Sequence, residues 1–149
     1  MSRAFVKDMD GEGTEDIPEL AISPHRNLVT PAGLAHIDET LRRLDGELAT
    51  ARAAADRATI ARVERDLRYW SSRRFTAEVV DPVACPENVR FGCTVELHSA
   101  AGERIRFKIV GEDESDPAQG RISYVSPLAA AMIGATVGDE VQFRGNMAV

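Results

Sequence analysis

The sequence predicts an α+β chain with its helices first and its strands after them. Three observations carry that reading. Apolar residues recur at alternating steps of three and four between Leu34 and Ala77, short alternating stretches follow Val89, and glycines and prolines punctuate the second half. The chain has 149 residues, 44% of them apolar and 28% charged, which supplies core for an ordinary globular protein. No run approaches the roughly 18–20 apolar residues of a membrane span, and the N-terminus has no apolar signal-like region, so a cytoplasmic protein without membrane contact is expected. Cys85 and Cys93 are too few for a disulfide scaffold and are expected to be free thiols.

The net charge of −6 is unevenly spread. Residues 1–27 hold three basic and six acidic side chains, residues 28–78 nine and eight, and residues 79–149 six and ten. No segment concentrates positive charge, so autonomous DNA binding is not expected.

Residues 1–27 read as a mobile acidic tail, because Gly11, Gly13, Pro18 and Pro24 interrupt any period and the apolar content cannot offset ordering entropy. Residues 28–80 read as a coiled-coil hairpin. Thr30-Pro31 is a helix start, with a capping hydroxyl followed by a proline at the first helical position. Leu34, Ile37, Leu41, Leu44, Leu48, Ala51 and Ala55 form one seam, and Ile60, Val63, Leu67, Trp70, Arg74 and Ala77 a second. The five-residue step from Ala55 to Ile60 breaks the alternation and Asp56 can cap a new helix, so an antiparallel turn is expected near Ala55–Ala58. Tyr69 and Trp70 are read as packing residues of that seam.

Residues 81–149 read as a separate small domain, joined to a semi-independent hairpin through the proline-interrupted stretch Val80–Asn88. Strands are predicted over Val89–Leu97, Glu103–Val110, Arg121–Val125 and Glu140–Arg144, forming an antiparallel sheet. Ser126-Pro127 repeats the cap-plus-proline start and opens one short helix that Gly134 can end. The acidic run Glu112, Asp113, Glu114 and Asp116 reads as a solvated loop, since it lacks the alternating ligands of a calcium loop. After Gly145-Asn-Met-Ala-Val149, the sheet is expected to lack an edge strand or to keep only a stub.

Enzyme constellations are absent. His25, His36 and His98 have no metal-ligand spacing, neither cysteine has a histidine nearby, and no glycine-rich phosphate loop follows a strand. No catalytic residue, metal site or cofactor is therefore expected.

The combined pattern has a clear resemblance. A capped hairpin leads through Ala77-Glu-Val-Val-Asp81 into Val89-Arg-Phe-Gly-Cys-Thr-Val95, Phe107-Lys-Ile-Val-Gly-Glu-Asp-Glu114, Ile122-Ser-Tyr-Val-Ser-Pro-Leu-Ala129 and Val137-Gly-Asp139. In order and spacing this resembles the Gre family of bacterial transcript-cleavage factors over about residues 29–144. The resemblance implies an FKBP-like C-terminal domain that docks on the rim of the RNA polymerase secondary channel, with the hairpin reaching towards the active site. It implies polymerase contacts at Val125, Ser126, Pro127, Leu128 and Ala129, and a hairpin tip at Asp56 and Arg57. Family tips carry two acids three residues apart that help hold a Mg²⁺ ion. Here the residue three after Asp56 is Thr59, and the next acid, Glu64, lies roughly 12 Å further along the helix. Arms of about 25 residues would also leave the tip about 10 Å short of the family's reach. The expected function is thus a polymerase-binding elongation regulator that is no enzyme and stimulates no cleavage. The alternatives are a true cleavage factor and a Gre-like regulator of nucleoside diphosphate kinase. A further departure is Val125, where the family usually has a polar residue.

Overall fold

The computed structural model describes residues 17–84, 86–143 and 146–148, the last three by their backbone alone. The expectations for residues 1–16, and for the Cys85 thiol, lie outside the described residues.

The chain enters through a two-residue strand, β1 (Leu28–Val29), and turns straight into helix α1 (Pro31–Ala53). Thr30 caps α1 by accepting a hydrogen bond from the Gly33 amide at 3.0 Å, with Pro31 at the first helical position. The buried residues of α1 are Gly33, Ile37, Thr40, Leu44, Leu48 and Ala51. Leu34 and Leu41 flank this seam half-buried, and Ala55 lies beyond it in the exposed turn.

Helix α2 (Arg57–Thr76) returns antiparallel to α1, and Leu44, Leu48 and Val63 form the hairpin's buried cluster, with Ile60, Leu67 and Trp70 against it. The packing role expected of Trp70 is visible in edge-on contacts with Tyr69 and His36, at 5.3 and 5.9 Å between ring centres. At the lower end of α2 the seam passes through Arg73, which is 2% exposed, while Arg74 faces outwards and pairs with Asp38 at 2.6 Å.

Strand β2 (Glu78–Val79) follows at once and pairs in parallel with β1, an element the sequence did not suggest. This clip ties the start of the hairpin to its end. Asn27, also buried, reinforces it by donating to the Arg73 carbonyl at 2.7 Å.

The second half forms a five-stranded sheet of order β5-β4-β3-β7-β6. Its strands are β3 (Thr94–Ser99), β4 (Arg104–Val110), β5 (Arg121–Ser123), β6 (Glu140–Gln142) and β7 (Asn146–Ala148). Three departures from expectation have local causes. Val89–Cys93 is not strand, because a turn closes between Arg90 and Cys93 with Gly92 at φ +85°. The sheet is mixed, because residues 111–120 run back along β4 through two single-turn 3₁₀ helices and set β5 parallel to it. Finally, β7 is no missing edge: it lies between β3 and β6.

The core of this half comprises Val95, Leu97, Ile109, Ile122, Ala129, Met132 and Val141. Helix α3 (Pro127–Met132) supplies two of these, Ala129 and Met132. Spaced by three, they share the helix face that meets the sheet. No helix among the described residues is long and apolar enough to cross a membrane.

Candidate functional site: hairpin tip, docking segment and the joint between them

The tip is a three-residue turn, Ala54 to Asp56. Ala55 takes a left-handed conformation at φ +51°, and the Asp56 amide closes the turn on the Ala51 carbonyl at 3.0 Å. Asp56 is the N-cap of α2, as expected. One carboxylate oxygen accepts from the Thr59 amide at 3.2 Å and the other from the Thr59 hydroxyl at 2.6 Å. Those two donors, the hydroxyl first, hold the Asp56 carboxyl below the usual carboxylate range. Arg57 beside it is exposed and has no partner among the described residues. Glu64, the next acid along α2, pairs across the hairpin with Arg52 at 2.9 Å.

This geometry does not fit a metal ion. The only tip carboxylate has both oxygens committed to capping, and Thr59 supplies a neutral hydroxyl where a second anion would be needed. Among the described residues no group of three or more metal-ligating side chains comes together.

The segment expected to meet the polymerase runs from Val125 to Ala129. Ser126 caps α3 by accepting from the Ala129 amide at 3.3 Å, and Pro127 stands exposed at the first helical position. Val125, Ser126 and Leu128 are half-buried. Ala129 is completely buried, with its methyl packed on the sheet, so its side chain is not part of the accessible surface. Ile133, 43% exposed, extends the accessible apolar surface just past α3.

The joint between hairpin and sheet domain is the feature that sequence reasoning missed. The acidic run expected to be a solvated loop is folded against the base of the hairpin. The buried Arg73 guanidinium bonds Asp113 at 2.5 Å and lies 3.7 Å from Glu112. The Tyr69 hydroxyl donates to the other Asp113 oxygen at 2.5 Å. Burial, together with that carboxylate, pushes the Tyr69 hydroxyl up to about 12. Glu114 accepts hydrogen bonds from the Thr30 hydroxyl, from the Thr30 amide at 3.0 Å and from the Gly111 amide at 3.1 Å. It therefore places a negative charge at the positive end of α1.

Gly33 and Gly111 are both required by this closeness. A Cβ on Gly33 would land on the Glu114 carboxylate, and one on Gly111 would strike the Leu28 carbonyl. The Tyr124 hydroxyl also donates across the joint, to the Arg26 carbonyl. The semi-independent hairpin expected from Pro82 and Pro86 is thus fastened at its base by charge and hydrogen bonding. The seam position expected for Arg74 is taken instead by its neighbour Arg73, which meets the run of acids.

Comparison with known proteins agrees with the architecture. Residues 84–148 match the family model described as transcription elongation factor, GreA/GreB, C-term. A transcription elongation factor GreB from Xanthomonas axonopodis pv. citri is 37% identical over 133 residues, covering 76% of this chain and 79% of its own. A transcription elongation factor GreA from Anaeromyxobacter is 35% identical over 143 residues, covering 78% and 82%. A Haemophilus ducreyi GreB is 32% identical over 138 residues, covering 79% and 85%. Such identities extend well beyond the C-terminal model and through the hairpin. The chain belongs to the GreA/GreB family of transcription elongation factors.

Proposed function

We propose that this chain binds RNA polymerase through its C-terminal domain, places its hairpin in the secondary channel, and regulates elongation without stimulating transcript cleavage. It is not itself an enzyme, and it works in the cytoplasm where the polymerase is. The observation that carries the reading is the tip: the Asp56 carboxylate is held by Thr59, and Glu64 is held by Arg52. Nothing at the tip resembles the two neighbouring carboxylates that a shared metal ion requires. Arm length points the same way, since the 23 residues of α1 span about 35 Å.

Docking is assigned to Val125, Ser126, Pro127 and Leu128, with Ile133 at their edge. These residues give an apolar surface broken by one hydroxyl, on a short helix anchored from below by Ala129 and Met132. Pro127→Asn or Leu128→Asp weakens binding to core polymerase, while Val125→Asp restores a polar contact.

The deciding experiment uses backtracked elongation complexes. The wild-type protein leaves their RNA uncleaved and lowers the rate at which a genuine cleavage factor acts, because both occupy one site. Thr59→Glu restores little cleavage, since it adds an acid without lengthening the arm. Strong Mg²⁺-dependent cleavage by the wild type that Asp56→Ala abolishes would refute the reading.

A further inference from the structure

The outer face of the sheet gathers positive charge that the rest of its domain does not share. The β3–β4 register sets Glu96 opposite Arg106 and His98 opposite Arg104, and the β4–β5 register sets Lys108 beside Arg121. Val95, Leu97, Ile109 and Ile122 alternate with these residues and point into the core beneath α3. The charged side chains therefore share the opposite face. Residues 79–149 hold six basic side chains, and four of them, Arg104, Arg106, Lys108 and Arg121, stand on this one surface.

The local acids do not neutralise it. Glu96 alone serves His98 at 2.8 Å, Arg106 at 3.3 Å and Arg104 at 4.0 Å. Asp116 lies 3.6 Å from Arg121, and the exposed Lys108 has no partner among the described residues. Two carboxylates thus face four permanent cations. The Arg104 and Arg106 side chains are each 72% exposed, so both can meet a partner without rearrangement. At the Lys108 end the face opens into a cleft of about 630 Å³, whose far wall is the start of α1 at Ala32 and His36. Two of the acids lining that cleft are already occupied, Asp113 by Arg73 and Tyr69, and Glu114 by Thr30.

We propose that this face is a docking surface for an acidic helix of a partner protein. Alternate residues of a strand lie about 6.7 Å apart, which spaces Arg104, Arg106 and Lys108 in a row along β4. Carboxylates at every fourth position of a helix rise about 6 Å each, so a helix laid along β4 offers one to each cation in turn. The long arginine and lysine side chains absorb the remaining drift. Nucleic acid is a poorer occupant. None of the outward positions of β3, β4 and β5 is Phe, Tyr or Trp, so the face lacks the large aromatic platforms on which single strands stack. The chain's net charge of −6 also opposes a long polyanion. Because this face lies across the sheet from α3, the proposal stands or falls independently of the polymerase reading.

Four exposed ion pairs give a contact of about millimolar strength, which NMR titration of the full-length chain can read. The probe is an alanine-rich helical peptide with three glutamates spaced by four, added at low salt. The expected result is saturable shifts at the amides of Arg104, Arg106, Lys108 and Arg121, which weaken as salt rises to about 0.15 M. Arg106→Gln and Lys108→Gln each weaken binding about two- to five-fold. Arg42→Gln, a change at an exposed position of α1, leaves it unaltered. Equal binding by a peptide with glutamine in place of glutamate would overturn the proposal, as would shifts confined to other residues or equal weakening by Arg42→Gln. Tighter binding of oligouridylate at the same residues would overturn it in favour of nucleic acid. Shifts at this face that grow with protein concentration alone would overturn it in favour of self-association.

Discussion

Removing the carboxylate of Asp113 should cost far more than any exposed ion pair in this molecule. Arg73 and Asp113 have side chains 2% and 9% exposed and meet at 2.5 Å. In Asp113→Ala the guanidinium stays buried with only Glu112, at 3.7 Å, and the Tyr69 hydroxyl loses its acceptor. Breaking a buried pair from one side costs about 3–5 kcal/mol, because the surviving charge keeps its desolvation penalty. The low end applies here, since Glu112 remains as a second anion. For a chain of this length, about 3 kcal/mol lowers Tm by roughly 6–12 °C. Arg73→Met combined with Asp113→Leu should recover most of that loss, because two apolar groups replace the pair. Urea unfolding separates the cases. Trp70, the one tryptophan of the chain, reports on the hairpin, and far-UV circular dichroism reports on the whole. In the wild type the two transitions coincide. In Asp113→Ala the tryptophan transition should move to lower urea. A loss below about 1 kcal/mol in the single variant, or a double variant as unstable as the sum of the two singles, would refute the buried-latch argument.

Two glycines of α1 should respond oppositely to alanine. Gly46→Ala meets nothing within 4 Å and should stabilise the helix by roughly 0.5–1 kcal/mol, measured as a higher urea midpoint. Gly33→Ala drives its methyl into the Glu114 carboxylate, which three hydrogen bonds hold in place, so despite the helical gain it should lose about 1–3 kcal/mol. Tyrosinate absorbance should show Tyr69 ionising near 12, above its ordinary value of 10. A phenol whose pKa is raised by folding favours the protonated native state. Its stabilising contribution is therefore complete below pH 10 and lost as pH rises from there through about 12.

The legible part of the fold was whatever a period or a cap could announce. Thr30, Asp56 and Ser126 all cap helices as expected, Thr30 and Ser126 announced by the proline that follows each and Asp56 by the broken step from Ala55 to Ile60. The seams were legible too, because burial in a hairpin recurs with the helical repeat. Strand boundaries were less so. The apolar residues of Val89–Cys93 carry a β-like composition, yet the glycine at position 92 turns the chain before β3 can start. Direction was illegible: nothing in Arg121–Ser123 says that its neighbour in the sheet runs parallel, since that depends on the path taken by residues 111–120.

The acidic run was misread for a deeper reason. A carboxylate cluster on a loop is ordinarily solvated, and local sequence carries no record of a cation some 40 positions away. Seen from the hairpin, the periodicity put Arg74 in the seam and left Arg73 on the solvated face, whereas Arg73 is the buried one. Seen from the loop, Glu112–Glu114 looked like surplus charge. Each is expensive alone, and Arg73 meets Asp113 directly and Glu112 at longer range, so two apparent defects in separate segments were complementary halves of one contact. That contact also bears on the tip. With Asp113 on Arg73, Glu114 on Thr30 and β1 clipped to β2, the base of the hairpin is held from three directions. The position of Asp56 relative to Pro127 is then set by packing at the base of the arm, and shortening or lengthening the arm moves the tip along a fixed line.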